Sequence, residues 1–277
     1  MFPFLTMDRM TMARALGLET VSITAVLSGV APGQIDSEEE IRRKLPEDSF
    51  IQSYVDAELE SLQWMRSHYR DRWVGGGCFG PLTVASDILG AEYLLRDIMK
   101  KPDYVLELVD RITNCICSLA EAEQQEGQDF FWIAEPVASL LSPRMFRKFS
   151  GDHLKRIFSS IDAPGFLHVC GKTDSHTKEL EACGPQVLSI DYVTDIKTCI
   201  ETVSGDTVIM GNVSPMLLQL GSRREAEAAV WKVLEDCEGH PNLIVSSGCS
   251  IMSGTPPENV DALFDITEKY DLAHPRS

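Results

Sequence analysis

From Gln128 to its end the chain alternates short apolar runs with amphipathic segments that open on helix-start signals. That alternation restricts the fold more than any other feature. The runs at residues 130–134, 166–170, 187–190, 208–211 and 243–247 are nearly continuously apolar, as in strands covered on both faces, and so predict a parallel sheet. Helix signals follow each run. Ser142-Pro143 and Ser214-Pro215 put a cap before a proline at the first helical position, and Thr173-Asp174 can cap a helix running to Leu180. Ser222 with Glu225, and Thr255 with Glu258, have capping-box spacing. Five βα units fit between residues 128 and 271.

Upstream, Val105, Leu108, Ile112, Ile116 and Leu119 step by three and four and predict a helix, preceded by a glycine-rich turn over 75–81. This reads as a sixth unit. Ile51, Val55, Leu59, Leu62, Met65 and Tyr69 keep helical spacing, and Ser37 with Glu40 can cap a short helix that Pro46 interrupts. In the first 35 residues only 20–27 reads as a strand. With no linker or fixed-period repeat, 277 residues fit one α/β barrel, which typically takes ~250. The expected layout is a single domain over 1–277, with a helical N-terminal region over 1–70 and site-bearing βα units over 71–277.

Charge and cysteine content narrow the function. Lys and Arg number 25 against 42 Asp and Glu, a net charge of −17 that disfavours nucleic acid and anionic membrane surfaces as partners. Eight cysteines in a chain this long suit reduced thiols in a cytoplasmic protein better than a disulfide scaffold. The apolar start lacks a basic leader and a processing site, so secretion is not expected. No stretch reaches the ~18 apolar residues of a membrane span.

The chemistry concentrates at predicted strand ends. His168 and Cys170 are two apart on one strand, so both point to the same face. They precede Gly171, at the carboxyl end where parallel α/β folds build their sites. Cys249 follows the last strand at the equivalent level, and Glu135 follows the strand at 130–134. One imidazole, two thiols and a carboxylate suit zinc, whose short bonds, about 2.0–2.3 Å, would require the strand ends to converge. In a flat sheet the strands bearing Cys170 and Cys249 would stand roughly 14 Å apart at ~4.8 Å per strand, so the metal reading and a closed barrel support each other. The competing reading makes both cysteines small buried hydrophobes and His168 a satisfied core residue. Cys115 and Cys117 are two apart on a helix and point about 200° apart, so they cannot share an ion. Gly75, Gly77 and Gly80 match the glycine spacing of a dinucleotide turn, which would make the chain an oxidoreductase, but the strand that motif requires is missing.

Several runs resemble one family: Gly80-Pro81-Leu82-Thr83-Val84-Ala85, Glu135-Pro136-Val137-Ala138-Ser139, His168-Val169-Cys170-Gly171, Ile190-Asp191, Met210-Gly211-Asn212-Val213-Ser214-Pro215, Ser247-Gly248-Cys249 and Thr255-Pro256-Pro257-Glu258-Asn259. They are similar to the uroporphyrinogen decarboxylase-like barrels, and within them to the zinc-dependent corrinoid methyltransferases of the methylcobamide:coenzyme M kind. The resemblance implies a TIM (β/α)8-type barrel with a shortened N-terminal part. It makes His168, Cys170 and Cys249 zinc ligands; Glu135 stands where an aspartate is common in the family, and it could fill the fourth position at rest. Asp191, Asn212 and Gly80 would orient substrate or ligands. The implied partners are a corrinoid-binding protein and a small thiol such as coenzyme M. Two other activities stay open: methyl transfer from a methylated donor to a reduced corrinoid, and another activity on the same fold. The decarboxylase branch carries an Arg-Gln-Ala-Gly-Arg segment that is absent here, which disfavours porphyrinogen decarboxylation. A barrel in which protein fills all four zinc positions would be non-catalytic.

Overall fold

The computed structural model describes residues 19–22, 28–30, 35–44, 52–240 and 242–274. Two short strands, β1 (Thr20–Ser22) and β2 (Ser28–Val30), form a sheet of their own, and the larger sheet has six strands in chain order: β3 (Gly75–Phe79), β4 (Phe130–Ala134), β5 (Gly165–Val169), β6 (Val187–Ile190), β7 (Val208–Val213) and β8 (Leu243–Ser247). Registers are parallel where Gly75 faces Phe130, Val187 faces Val208 and Ile209 faces Leu243. Helices follow the strands, giving the repeating βα architecture of an α/β barrel fold. Every residue of β5 and β6 is buried, which accounts for their unbroken apolar sequence. The chain divides into two compact units, Met1–Leu167 with Ala182–Pro185, and His168–Glu181 with Gln186–Ser277.

The helix over Pro102–Gln125 buries Val105, Leu108, Ile112, Ile116 and Leu119, the stripe its spacing predicts. Each such side chain contributes roughly 1.5–3 kcal/mol by leaving water. The helix over Gln52–His68 also matches its periodicity. Ser142, Ser214 and Ser222 accept hydrogen bonds from the first turns they precede, and Ser222 and Glu225 close a full capping box. No helix among the described residues is long and apolar enough to cross a membrane.

Four local expectations change. The Thr255 and Glu258 box does not form, because the Thr255 hydroxyl donates to Met252 O and the helix starts at Pro257. After Thr173 the chain makes a 3-10 turn over Asp174–His176 before its helix over Thr177–Glu181. Near the start, Thr20–Ser22 pairs antiparallel with Ser28–Val30, whereas one strand over 20–27 was expected; residues 23–27 lie outside the described residues, as does Pro46.

The fourth difference is at the glycine-rich segment, which is the strand β3 and not a turn. Glycines are needed there because other groups occupy the space of a side chain. A Cβ on Gly76 would collide with the Glu123 carboxyl and one on Gly80 with the Glu135 carboxyl. Gly75 and Gly77 of the dinucleotide motif thus lie inside the strand, and only Gly80 falls at the strand-to-helix junction, where the Glu135 carboxyl already takes the first helical N–H groups.

Both carboxyls are almost completely buried. Burial, reinforced by the charge of Glu58 and opposed by the Gly77 N–H, pushes Glu123 up from 4.5 to about 8. Burial likewise pushes Glu135 up to about 7, against hydrogen bonds from Thr83, Leu82 and Ser150. A folded-state value above the unfolded one means stability fully present below about pH 4.5 and lost as the pH rises through about 7 and 8. Glu123→Gln removes one of these ionisations. Its unfolding free energy is expected to gain on the wild type by a few kcal/mol, to order of magnitude, between pH 5 and 9. A constant difference across chemical denaturation at those pH values would contradict this.

Candidate metal centre

Parallel register ends β5, β7 and β8 on chemistry-bearing residues of the second unit. His168 stands inside β5, Cys170 one residue beyond its end, and Cys249 two residues beyond β8. The His168 Nε2 lies 3.2 Å from Cys170 Sγ, and the two sulfurs lie 3.7 Å apart although 79 residues separate them. All three ligand atoms fall within 4.8 Å of one another, and no other such group of three occurs among the described residues. Two Zn–S bonds of about 2.3 Å at a tetrahedral angle place sulfurs about 3.8 Å apart, so the donor set and its spacing fit zinc.

Hydrogen bonds fix the imidazole. Its Nδ1 faces the Ser189 hydroxyl at 3.0 Å and the Ser189 carbonyl at 3.2 Å, leaving Nε2 turned to the thiols. An Nδ1–H donated to that carbonyl selects the tautomer whose Nε2 lone pair can bind a cation. Ser189 escaped the sequence reading. A serine inside the buried run Val187–Ile190 was its one signal, since a buried hydroxyl needs a partner.

The two thiols differ in their surroundings. The Cys249 sulfur receives hydrogen bonds from Cys170 and His168, which hold it well below the ordinary thiol range against the opposing effect of burial. Cys170, as the donor partner to that thiolate, is pushed up. In the metal-free pair one sulfur therefore ionises first.

The remaining sequence-selected residues brace the loops. Asp191 accepts from the N–H groups of Gly171 at 2.8 Å and Val193 at 3.2 Å, tying the β6 end to the residue after Cys170. Asn212 donates to the carbonyls of Asp191 at 3.1 Å and Thr194 at 2.8 Å, and the Thr194 hydroxyl donates to Gly171 O. Gly248 N–H bonds Val213 O at 2.8 Å. A Cβ on Gly248 would strike the backbone of Tyr192, so only glycine lets the Cys249 loop come this close.

Glu135 and Gly80 belong to the other unit. The Glu135 carboxyl accepts from Leu82 N at 3.1 Å, Thr83 N at 2.7 Å, the Thr83 hydroxyl and the Ser150 hydroxyl at 3.1 Å. Gly80 donates to Ala134 O and supplies the space that this carboxyl fills. Glu135 thus anchors the start of the helix over Pro81–Leu89. Cys115 and Cys117 form no ligand group, and Cys78, Cys183, Cys199 and Cys237 are buried.

An α/β fold of consecutive parallel strands, with an imidazole and two thiols gathered at its strand ends, defines a class of barrel protein equipped to bind a soft divalent metal. The chain belongs to the uroporphyrinogen decarboxylase (URO-D) family, which it matches over residues 4–270. It is 31% identical to the methylcobamide:CoM methyltransferase MtaA of Methanosarcina barkeri over 82% of this chain and 67% of that protein. A uroporphyrinogen decarboxylase of Syntrophotalea carbinolica is 23% identical over 76% of this chain and 64% of that one. Among solved structures, a methyltransferase from Methanosarcina mazei superposes with a TM-score of 0.78 at 28% identity, covering 94% of this chain and 77% of that chain.

The closeness of Gly248 to Tyr192 makes a sharp test. Gly248→Ala is expected to displace the Cys249 loop and to weaken zinc binding at least tenfold in competition with a chromophoric chelator, the scale of losing a supporting contact. Unchanged affinity would show that the loop tolerates a methyl group there.

Proposed function

We propose that the protein is a zinc-dependent methyltransferase that moves a methyl group from a methylated corrinoid to a small thiol such as coenzyme M. The approach of Cys170 and Cys249 sulfurs to 3.7 Å, beside an imidazole nitrogen, carries this reading. His168, Cys170 and Cys249 would hold the metal and leave one position for the acceptor. Zinc bound there would supply a cationic centre that stabilises an incoming thiol as its thiolate.

The protein's own residues define what that position favours. Cys170 and Cys249 as thiolates balance a dication, so an added thiolate brings the centre to one net negative charge and keeps its sulfur electron-rich. Such a set is a weak Lewis acid, which favours a thiol acceptor over activation of a methoxy or methylamine donor. Ser189 holds His168 in the ligating tautomer, Asp191 braced by Asn212 holds the Cys170 loop through Gly171, and Gly248 N–H on Val213 O holds the Cys249 loop. In the overall reaction the acceptor sulfur gains the methyl group, its proton passes to solvent, and cobalt leaves as Co(I). The chain spans about two thirds of the MtaA relative's length, and both the activity for which that protein is named and the donor set support the reading. The corrinoid would come on a partner protein.

The fourth position is left to the acceptor thiol, and Glu135 acts as the anchor of the helix over Pro81–Leu89. The central test is turnover. Zinc-loaded protein is expected to convert methylcobalamin and coenzyme M to methyl-coenzyme M, with Cys170→Ser and Cys249→Ser each losing at least a hundredfold in rate along with bound zinc. Loss of zinc without loss of rate, or no thiol methylation by the zinc-loaded wild type, would overturn it.

A further inference from the structure

A second feature, in the first unit and at the opposite ends of the strands, is unused by methyl transfer. The loop over 69–74 joins the helix Gln52–His68 to β3, and Asp129 immediately precedes β4. Together with Arg66 they line a hollow of about 340 Å³ whose walls are Arg66, Tyr69, Arg70, Arg72, Trp73 and the two aspartates Asp71 and Asp129. Glu135 and Gly80 mark the carboxyl ends of β4 and β3, so this hollow sits at the amino ends of the same two strands.

Part of its lining has a structural role. Arg66 pairs with Asp129 at 3.3 Å, and the same carboxylate accepts the Val74 N–H at 2.7 Å, which closes the loop onto the strand. The rest does not. Arg70 uses only its Nε, on Ser67 O, and Arg72 reaches only Asp71 at a distant 4.0 Å. Both guanidinium forks thus keep donors free among the described residues. Trp73 exposes half of its surface and Tyr69 39%. In a chain of net charge −17, three arginines within seven residues around one hollow oppose the prevailing field. Asp129 compensates Arg66, which leaves Arg70 and Arg72 against Asp71, a net positive lining that an anion complements.

The geometry points to a binding site for a phosphate monoester that carries a planar ring, the chemical class of a mononucleotide. Guanidinium forks match phosphate oxygens two at a time, and an exposed indole beside them offers a stacking face. The volume suits one such ligand and is too small for a macromolecule to enter. Asp129 is tied to Arg66 and Val74, whereas Asp71 is 83% exposed and free to turn to solvent when an anion enters.

Isothermal titration of the full chain with adenosine monophosphate, inorganic phosphate and adenosine tests this. The monophosphate is expected to bind at least tenfold more tightly than either fragment, with affinity falling as salt rises. Arg70→Ala with Arg72→Ala should abolish binding of both anions, and Trp73→Ala should bring the monophosphate down to the level of phosphate alone. These side chains are exposed, so thermal midpoints should stay within a few degrees. No binding at millimolar monophosphate, equal binding of monophosphate and phosphate, or binding indifferent to the arginine pair would overturn the site. None of these readouts involves zinc or methyl transfer.

Discussion

The contact between two sulfurs 79 residues apart sets the demands that the second unit meets. Thiols at 3.7 Å need the ends of β5 and β8, three places apart in the sheet, to converge at one level; parallel register levels β7 with β8, pairing Ile209 with Leu243 through Val213 with Ser247. Everything around the pair serves to keep that level. Gly248 gives the Cys249 loop its close approach to Tyr192, and Asp191 holds Gly171 from the neighbouring strand end. Asn212 bridges the β6-end loop by two carbonyls. A shift of one residue in any of these strands would turn His168 or a cysteine to the opposite face.

Electrostatics divides the chain's buried ionisable groups by task. Glu123 and Glu135 are raised toward or above neutrality by burial, so they can stay protonated inside the fold at modest cost. Cys249 is lowered instead, because Cys170 and His168 donate toward its sulfur. Cys249, lowered by donors that could themselves bind metal, has the surroundings expected of a ligand, whereas Glu135 is raised by burial against its own donors and anchors a helix start. That contrast separates the Cys249 environment from the Glu135 environment, although both residues stand at strand ends.

Much of this was legible in the sequence. The runs at 130–134, 187–190 and 243–247 are strands with those bounds, because sheets covered on both faces write themselves as unbroken apolar stretches. His168, Cys170 and Cys249 were selected from period-two spacing and strand-end position, and the structure brings them together. The glycine-rich segment was misjudged because Gly75, Gly76 and Gly80 answer to Phe130, Glu123 and Glu135, residues that lie 47 or more positions later and carry no local signal. Ser189 and Tyr192 were missed for a related reason, since their roles depend on neighbours across the sheet. The first 35 residues gave one strand where the described part shows a short antiparallel pair of three residues each, too short to leave an alternating signal of its own.

The central claim is that the imidazole and two thiols hold zinc with one place open to a thiol. X-ray absorption at the zinc edge, recorded before and after adding coenzyme M, tests it most directly. The account predicts zinc bound by two sulfurs and at least one nitrogen, gaining a third sulfur at about 2.3 Å when the thiol is added. Zinc-free protein after growth in zinc, or a sulfur count that the thiol leaves unchanged, would contradict it.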